Sequence, residues 1–286
     1  MRKARRVFLL LSVAALALCS CRKRAPPATL AASRVVSLSP STTEAMWAIG
    51  AAGMLVGRSA QCDFPAEVLA LPVVGDLTAP NLERVLMLKP TSVVGDAAVD
   101  AAGVGRRLAD LGVQSYFPRS ESVSDVFEML IGLGQRFGHA REAEAVAARI
   151  AAELESLRKE AVTTPHPRVL LVLQTSPVFV VGPRAYLGEL LRLVGGENVM
   201  VEGSYPQLGA EPLATLKPDL VVLLHGDREP APSIDPRAAG WAQMPAVQKH
   251  AVCTVRSSAL MRPGPRVAEG ARALRECIAS ETRSAR

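Results

Sequence analysis

Glu83-Arg-Val-Leu-Met-Leu-Lys-Pro90 and Glu211-Pro-Leu-Ala-Thr-Leu-Lys-Pro218 are one phrase written twice, 128 residues apart. In each copy a glutamate stands five residues before Leu-Lys-Pro, and an apolar run follows at once. A helix that ends at proline and feeds a strand is one turn of an α/β unit. Its recurrence at a fixed offset predicts two related halves rather than one continuous sheet.

Working outward from the first copy, residues 34–38 read as a strand. Ser39-Pro40-Ser41-Thr42-Thr43-Glu44 follows, with hydroxyls and an acid where a helix start wants them. Ala45, Met46 and Ile49 continue at helical spacing, and Gly50 stands where the helix would stop. A short strand at 55–57, a helix over 81–88, a strand at 91–95, a helix over 100–111 and a strand at 113–117 complete the first half. Around the second copy the alternation restarts: a strand at 168–173, a helix over 185–194 closed by Gly195-Gly196, and a strand at 219–224. Continuous apolar strands separated by helices suit parallel sheets covered on both faces.

Between the halves, residues 139–162 contain neither glycine nor proline. Ala143, Val146, Ala147, Ile150, Leu154, Leu157 and Ala161 recur there at helical spacing, and Thr163-Thr164-Pro165-His166-Pro167 stops the run. A helix of that length spans about 36 Å, enough to bridge two lobes. The expected organisation is a leader (1–20), a tether (21–33), a first α/β lobe (34–138), a connecting helix (139–162) and a second α/β lobe (163–280).

The leader decides the compartment. Arg2, Lys3, Arg5 and Arg6 precede a 12-residue apolar run from Val7 to Leu18. The run is too short to span a bilayer but fits a secretory signal. Cys21 follows Ser20, with Leu18 three residues back, the pattern of a cysteine that is lipidated on cleavage; Cys19 lacks the small residue before it. The net charge of +6 belongs largely to this end: residues 21–286 carry 29 basic against 27 acidic side chains, three of the 29 being Arg22, Lys23 and Arg24. No basic face suited to nucleic acid is implied.

Chemistry-bearing motifs are absent. There is no phosphate-cradling glycine loop after a strand, no Gly-x-Ser-x-Gly elbow and no His-Glu-x-x-His. Ser39 and Ser41 precede a helix and read as caps. Cys62, Cys253 and Cys277 lack zinc-site spacing. His139, His166, His225 and His250 are scattered and read as surface or capping residues, so no metal site is expected. The expectation is a binding protein without enzymatic activity or resident cofactor.

Arg34-Val-Val-Ser-Leu-Ser-Pro-Ser-Thr-Thr-Glu44, Cys62-Asp-Phe-Pro65, Asn81-Leu-Glu-Arg-Val-Leu-Met-Leu-Lys-Pro90 and Gly195-Gly-Glu-Asn198 together resemble the periplasmic binding proteins for cobalamin and ferric siderophores, the cobalamin branch most closely. The resemblance runs from residue 34 to about 278. It implies two Rossmann-like lobes joined by a single long helix, the helical-backbone type of solute-binding protein, with ligand held between them. It implies a monomer that serves an ABC importer and touches the membrane through its lipid anchor alone. Glu83 and Glu211 match the glutamates, one per lobe, that meet arginines of the permease dimer. Taken alone, each would merely complement a helix dipole.

For the ligand the resemblance implies Ser39, Pro40, Phe64, Leu77, Phe179, Tyr205 and Arg262. Leu77 and Tyr205 stand where it would place tryptophans, and Ala259-Leu260 where it would place a Trp-Phe pair. Cobalamin or a related corrinoid leads, since flat aromatic walls suit a corrin. Haem is the alternative, with Tyr205 as an axial ligand, as is a ferric siderophore, for which Arg262 alone is well placed. A lipoprotein enzyme or structural lobe is the reading from another class. The family's disulfide partner for Cys277 falls on Val194; if Cys277 is bonded, Cys253 is the candidate.

Overall fold

Val35, Val36 and Ser37 form β1 (Val35–Ser37), a strand with no exposed surface. Around it, in a computed structural model describing residues 33–284 apart from 102 and 163–165, the chain builds two separate sheets. The first holds β1, β2 (Leu55–Arg58), β3 (Ser92–Val94) and β4 (Gln114–Tyr116), in the order β2-β1-β3-β4 and all parallel. Its helices are α1 (Pro40–Ala48), α2 (Leu82–Met87), α3 (Ala97–Asp100) and α4 (Val104–Asp110). Then α5 (Val123–Phe137) and α6 (Ala140–Val162) lead to the second sheet.

That sheet begins with β5 (Arg168–Thr175) and β6 (Val178–Val180). After α7 (Tyr186–Leu193) come β7 (Glu197–Asn198), β8 (Gln207–Leu208), α8 (Ala210–Thr215) and β9 (Leu220–His225). The chain ends through α9 (Pro245–Gln248), β10 (Val252–Arg256), α10 (Ser258–Met261) and α11 (Val267–Ser284). β5 lies parallel to β7 and β9, and β9 parallel to β10, so β7-β5-β9-β10 repeats the order β2-β1-β3-β4. β6 and β8 are additions, antiparallel to their neighbours. The doubled Glu…Leu-Lys-Pro phrase occupies equivalent places in this repeat, entering β3 in one sheet and β9 in the other.

Side chains that alternate across a strand sort into different cores. Val35 and Val94 face one large cluster, while Val36, Leu38 and Val93 face a second that belongs to the first sheet alone. In β5 and β9, Val169, Leu171, Leu220, Val222 and Leu224 join the large cluster; Leu170, Val172, Val221 and Leu223 join a third, private to the second sheet. The large cluster therefore spans both halves, and α1, α5, α6, α7 and α11 all contribute to it. Ile150, Leu154 and Leu157 of α6 are buried in it, and α6 packs against α5, α7 and α11.

Three helical stretches depart from the sequence reading. The helix expected over 100–111 is broken, because Gly103 adopts φ +72° and starts α4 afresh after α3. α5 and α11 were not foreseen. α5 opens with a reciprocal capping box, Ser122 with Asp125, and closes on left-handed Gly138. α11 buries Val267, Ala271, Leu274 and Ile278, one face at helical spacing.

Cys253 of β10 is disulfide-bonded to Cys277 of α11, with Cα atoms 6.1 Å apart and a sequence separation of 24. Closing a loop of this size removes about 3 kcal/mol of entropy from the unfolded chain. Cys277→Ser is therefore expected to lower the stability measured by urea titration by about 3 kcal/mol, while leaving the far-ultraviolet dichroism native. An unchanged midpoint would show that the bond holds nothing the packing of α11 does not already hold.

Candidate functional site at the seam between the halves

The turn after β1 is organised inward. Ser39 caps α1, its Oγ accepting from the Thr42 N–H at 3.3 Å. Ser37, Ser39, Thr42 and Thr43 satisfy one another's hydroxyls at 2.8–3.0 Å, and Thr43 also donates to Cys62 Sγ at 3.0 Å. Ser39 and Pro40 are both buried. Cys62 is a buried, packed free thiol, which burial holds above its ordinary pKa.

Arg58, at the end of β2, fixes the next turn. Its Nη1 donates to the carbonyls of Ser59, Ala60 and Cys62 at 3.0–3.3 Å. The turn thereby presents Asp63 and Phe64 to the second half.

There the two halves meet through charge. Glu44, 3% exposed, accepts from Arg266 in a two-pronged pair, Nε to Oε2 and Nη2 to Oε1 at 2.9 Å each. Arg262 Nη1 adds a longer contact to Glu44 at 3.4 Å and donates to Asp63 Oδ1 at 2.6 Å. Arg228 completes the set on Asp63 Oδ2 at 3.2 Å. The expected first-turn acid of α1 is thus engaged elsewhere: Glu44 lies beyond the first turn, and its partners are 218 and 222 residues away. Burial pushes the Asp63 carboxyl up, but the Arg262 hydrogen bond and the charges of Arg262 and Arg228 outweigh it, and the group rests below the usual carboxylate range.

The other named residues gather partly at this seam. Phe64 is 42% exposed, with the Arg266 guanidinium 3.8 Å from its ring centroid. Tyr205 is 48% exposed; burial first and the nearby Glu121 second raise its pKa. Phe179 is half-buried in β6, paired with Gln207 of β8. Leu77 packs on the first sheet's private core instead, its N–H held by Gln61 Oε1 at 2.8 Å. Glu83 and Glu211 sit at the second position of α2 and α8, both exposed, without an ion-pair partner among the described residues. Cys21 lies outside the described residues. His225 is buried at the end of β9 with Nδ1 on backbone carbonyls, so of the two roles read for it, surface or capping, the structure rules out the first.

Glu44, Asp63, Arg228 and Arg266 were not singled out from the sequence. The one available signal was Arg262-Pro-Gly-Pro-Arg266, two arginines bracketing a rigid turn. A cavity of about 330 Å³ opens beside Glu44 and Arg266, lined also by Trp47, Phe64, Arg149 and Arg272. Among the described residues no group of three or more His, Cys, Asp or Glu side chains is arranged to hold a metal, and no helix is long and apolar enough to cross a membrane.

Comparison with known proteins agrees with the architecture. An uncharacterized ABC transporter substrate-binding lipoprotein of Bacillus subtilis is 27% identical over 257 residues, 87% of this chain and 81% of that protein. A vitamin B12-binding protein of Yersinia pestis is 30% identical over 195 residues, 68% of this chain and 70% of the relative. The structure of a periplasmic haem-binding protein from Pseudomonas aeruginosa superposes with a TM-score of 0.73 at 26% identity, covering 85% of this chain and 91% of that one. The family model for periplasmic binding proteins matches residues 35–259, from β1 to α10. With two sheets built on parallel strands, a shared helical core and a charged seam between them, the chain belongs to the periplasmic binding protein family.

Proposed function

We propose that this protein is a lipid-anchored carrier that captures a corrinoid at the seam between its halves and delivers it to an ABC importer. The observation that carries the corrinoid reading is the balanced seam. Arg228, Arg262 and Arg266 already face three carboxylates, Glu44, Asp63 and Glu269. A multiply anionic ferric siderophore would need unmatched guanidiniums, whereas a corrinoid, rimmed by carboxamides, needs flat apolar walls and hydrogen-bonding partners. Phe64, Phe179 and Tyr205 supply such walls, and the 30% identical relative of Yersinia pestis is named for vitamin B12. Haem is the second reading, favoured by the half-exposed phenol of Tyr205 and by the likeness to the Pseudomonas aeruginosa protein.

Purified protein titrated with cyanocobalamin is expected to bind one equivalent, with colour retained through desalting. Phe179→Ala and Tyr205→Ala should each weaken binding by about 1–3 kcal/mol, the range for truncating an aromatic anchor. Calorimetry showing no heat with cyanocobalamin but tight uptake of haemin would transfer the assignment to haem.

Delivery rests on Glu83 and Glu211, which stand at equivalent places in the two repeats and suit a permease built from two like subunits. The anchor rests on Cys21 and on the lipoprotein relative of Bacillus subtilis. Cys21→Ser is expected to move the protein from the membrane to the soluble fraction or to stall its processing. If Cys19→Ser does so and Cys21→Ser does not, the lipid is on Cys19.

A further inference from the structure

Among the described residues, two buried side-chain nitrogen or oxygen atoms lack a hydrogen-bond partner: Arg58 Nε and Tyr186 Oη. Arg58 uses its other donors on four carbonyls. Tyr186, 2% exposed, has a single polar atom and uses it on nothing. A buried hydroxyl without a partner is a standing cost that phenylalanine would avoid while filling the same space. The phenol therefore calls for a partner that arrives from outside the fold.

Its position says where that partner comes from. Tyr186 is the first residue of α7, which follows β6, the strand that carries Phe179. Glu189, three residues on and on the same face of α7, accepts from the Val123 N–H of the first half at 2.9 Å. Tyr186 thus sits on the side of α7 that meets the seam. Burial, and then the nearness of Tyr205, Glu189 and Glu44, pushes its phenol far above the ordinary tyrosine range. The group stays protonated and offers one donor. With two carboxylates in its field, an anionic acceptor is disfavoured and a neutral oxygen is preferred.

We propose that Tyr186 Oη is the inner hydrogen-bond donor of the ligand site, reserved for a neutral carbonyl or carboxamide oxygen, with Tyr205 as the half-exposed wall outside it. The proposal rests on the corrinoid reading above, since a corrinoid carries such carboxamides on its rim. The proposal requires the halves to part along the Glu44–Arg262–Arg266 pairs for ligand to reach the buried phenol.

The test is Tyr186→Phe, compared with the unaltered protein by calorimetry with cyanocobalamin and with haemin, and by thermal denaturation without ligand. The expected result is a melting temperature equal to or above that of the unaltered protein, with cyanocobalamin bound about 5- to 30-fold more weakly at unchanged stoichiometry. A purely structural tyrosine would show the reverse, a lower melting temperature and unchanged affinity, and that result would overturn the proposal. Haemin bound in place of cyanocobalamin, and weakened by the substitution, would overturn the neutral-acceptor class. If the unaltered protein binds neither compound, the corrinoid reading itself falls and takes this inference with it.

Discussion

Cells carrying Glu83→Arg together with Glu211→Arg are expected to lose ligand uptake by about 100-fold or more, while the purified double variant binds ligand as before. Each glutamate is an exposed residue in the first turn of a short helix and takes no part in the pairs that close the seam. Charge reversal at a docking contact replaces attraction by repulsion, and doing so at both sockets leaves no correct end to dock by. The stability cost is small: losing an acid from a helix start removes about 0.3–1 kcal/mol at each site. Either single reversal should impair uptake less than the pair. Compensating reversal of arginines in the permease should restore it. Normal transport by the double variant would reduce both glutamates to helix-start residues, and loss of ligand binding would place them at the seam instead.

Glu44→Gln is expected to cost about 3–5 kcal/mol of stability, the largest effect of any single conservative substitution considered for this chain. The carboxylate is 3% exposed and answers two guanidiniums, each only about one-fifth exposed. An amide keeps the shape and removes the charge, so Arg262 and Arg266 lose half of their compensation in a poorly solvated place. Urea titration reads the loss. Glu44→Gln combined with Arg266→Met should recover part of it, because the orphaned cation is gone. A cost below about 1 kcal/mol would mean that water already screens the seam.

The same pairs predict a pH dependence. Asp63 is held below its ordinary value of 3.8 by Arg262 and Arg228 in spite of its burial. A depressed carboxylate contributes stability in full above the unfolded value and loses it as pH falls through the folded one. The seam should therefore be intact from neutrality down to about pH 4 and loosen below.

Much of the frame was legible because it is local. The strand at β1, the cap at Ser39, the 23 residues of α6 and the doubled Glu…Leu-Lys-Pro phrase are each written within a few turns of chain. α5 was missed for a reason that packing explains. Gly132 and Gly134 look like breakers, yet a Cβ at Gly134 would run into Ala143 of α6, and one at Gly132 into Tyr116. Those glycines permit close approach and do not stop the helix. The seam was illegible because its partners are some 200 residues apart, and an acid beside a helix start has an adequate local explanation. Family likeness supplied Phe64, Tyr205 and Arg262, but not Glu44, Arg266 or Tyr186, which take their meaning only from the folded contact.

The Cys253–Cys277 bond ties the last helix to the last strand. Inside the reducing cytosol where the chain is made, the two thiols stay apart. Without the bond the unfolded chain keeps about 3 kcal/mol more entropy, so the fold opens more readily even though α11 stays packed on the large core. In an oxidising compartment, where disulfides persist, the bond closes and such opening becomes correspondingly rarer.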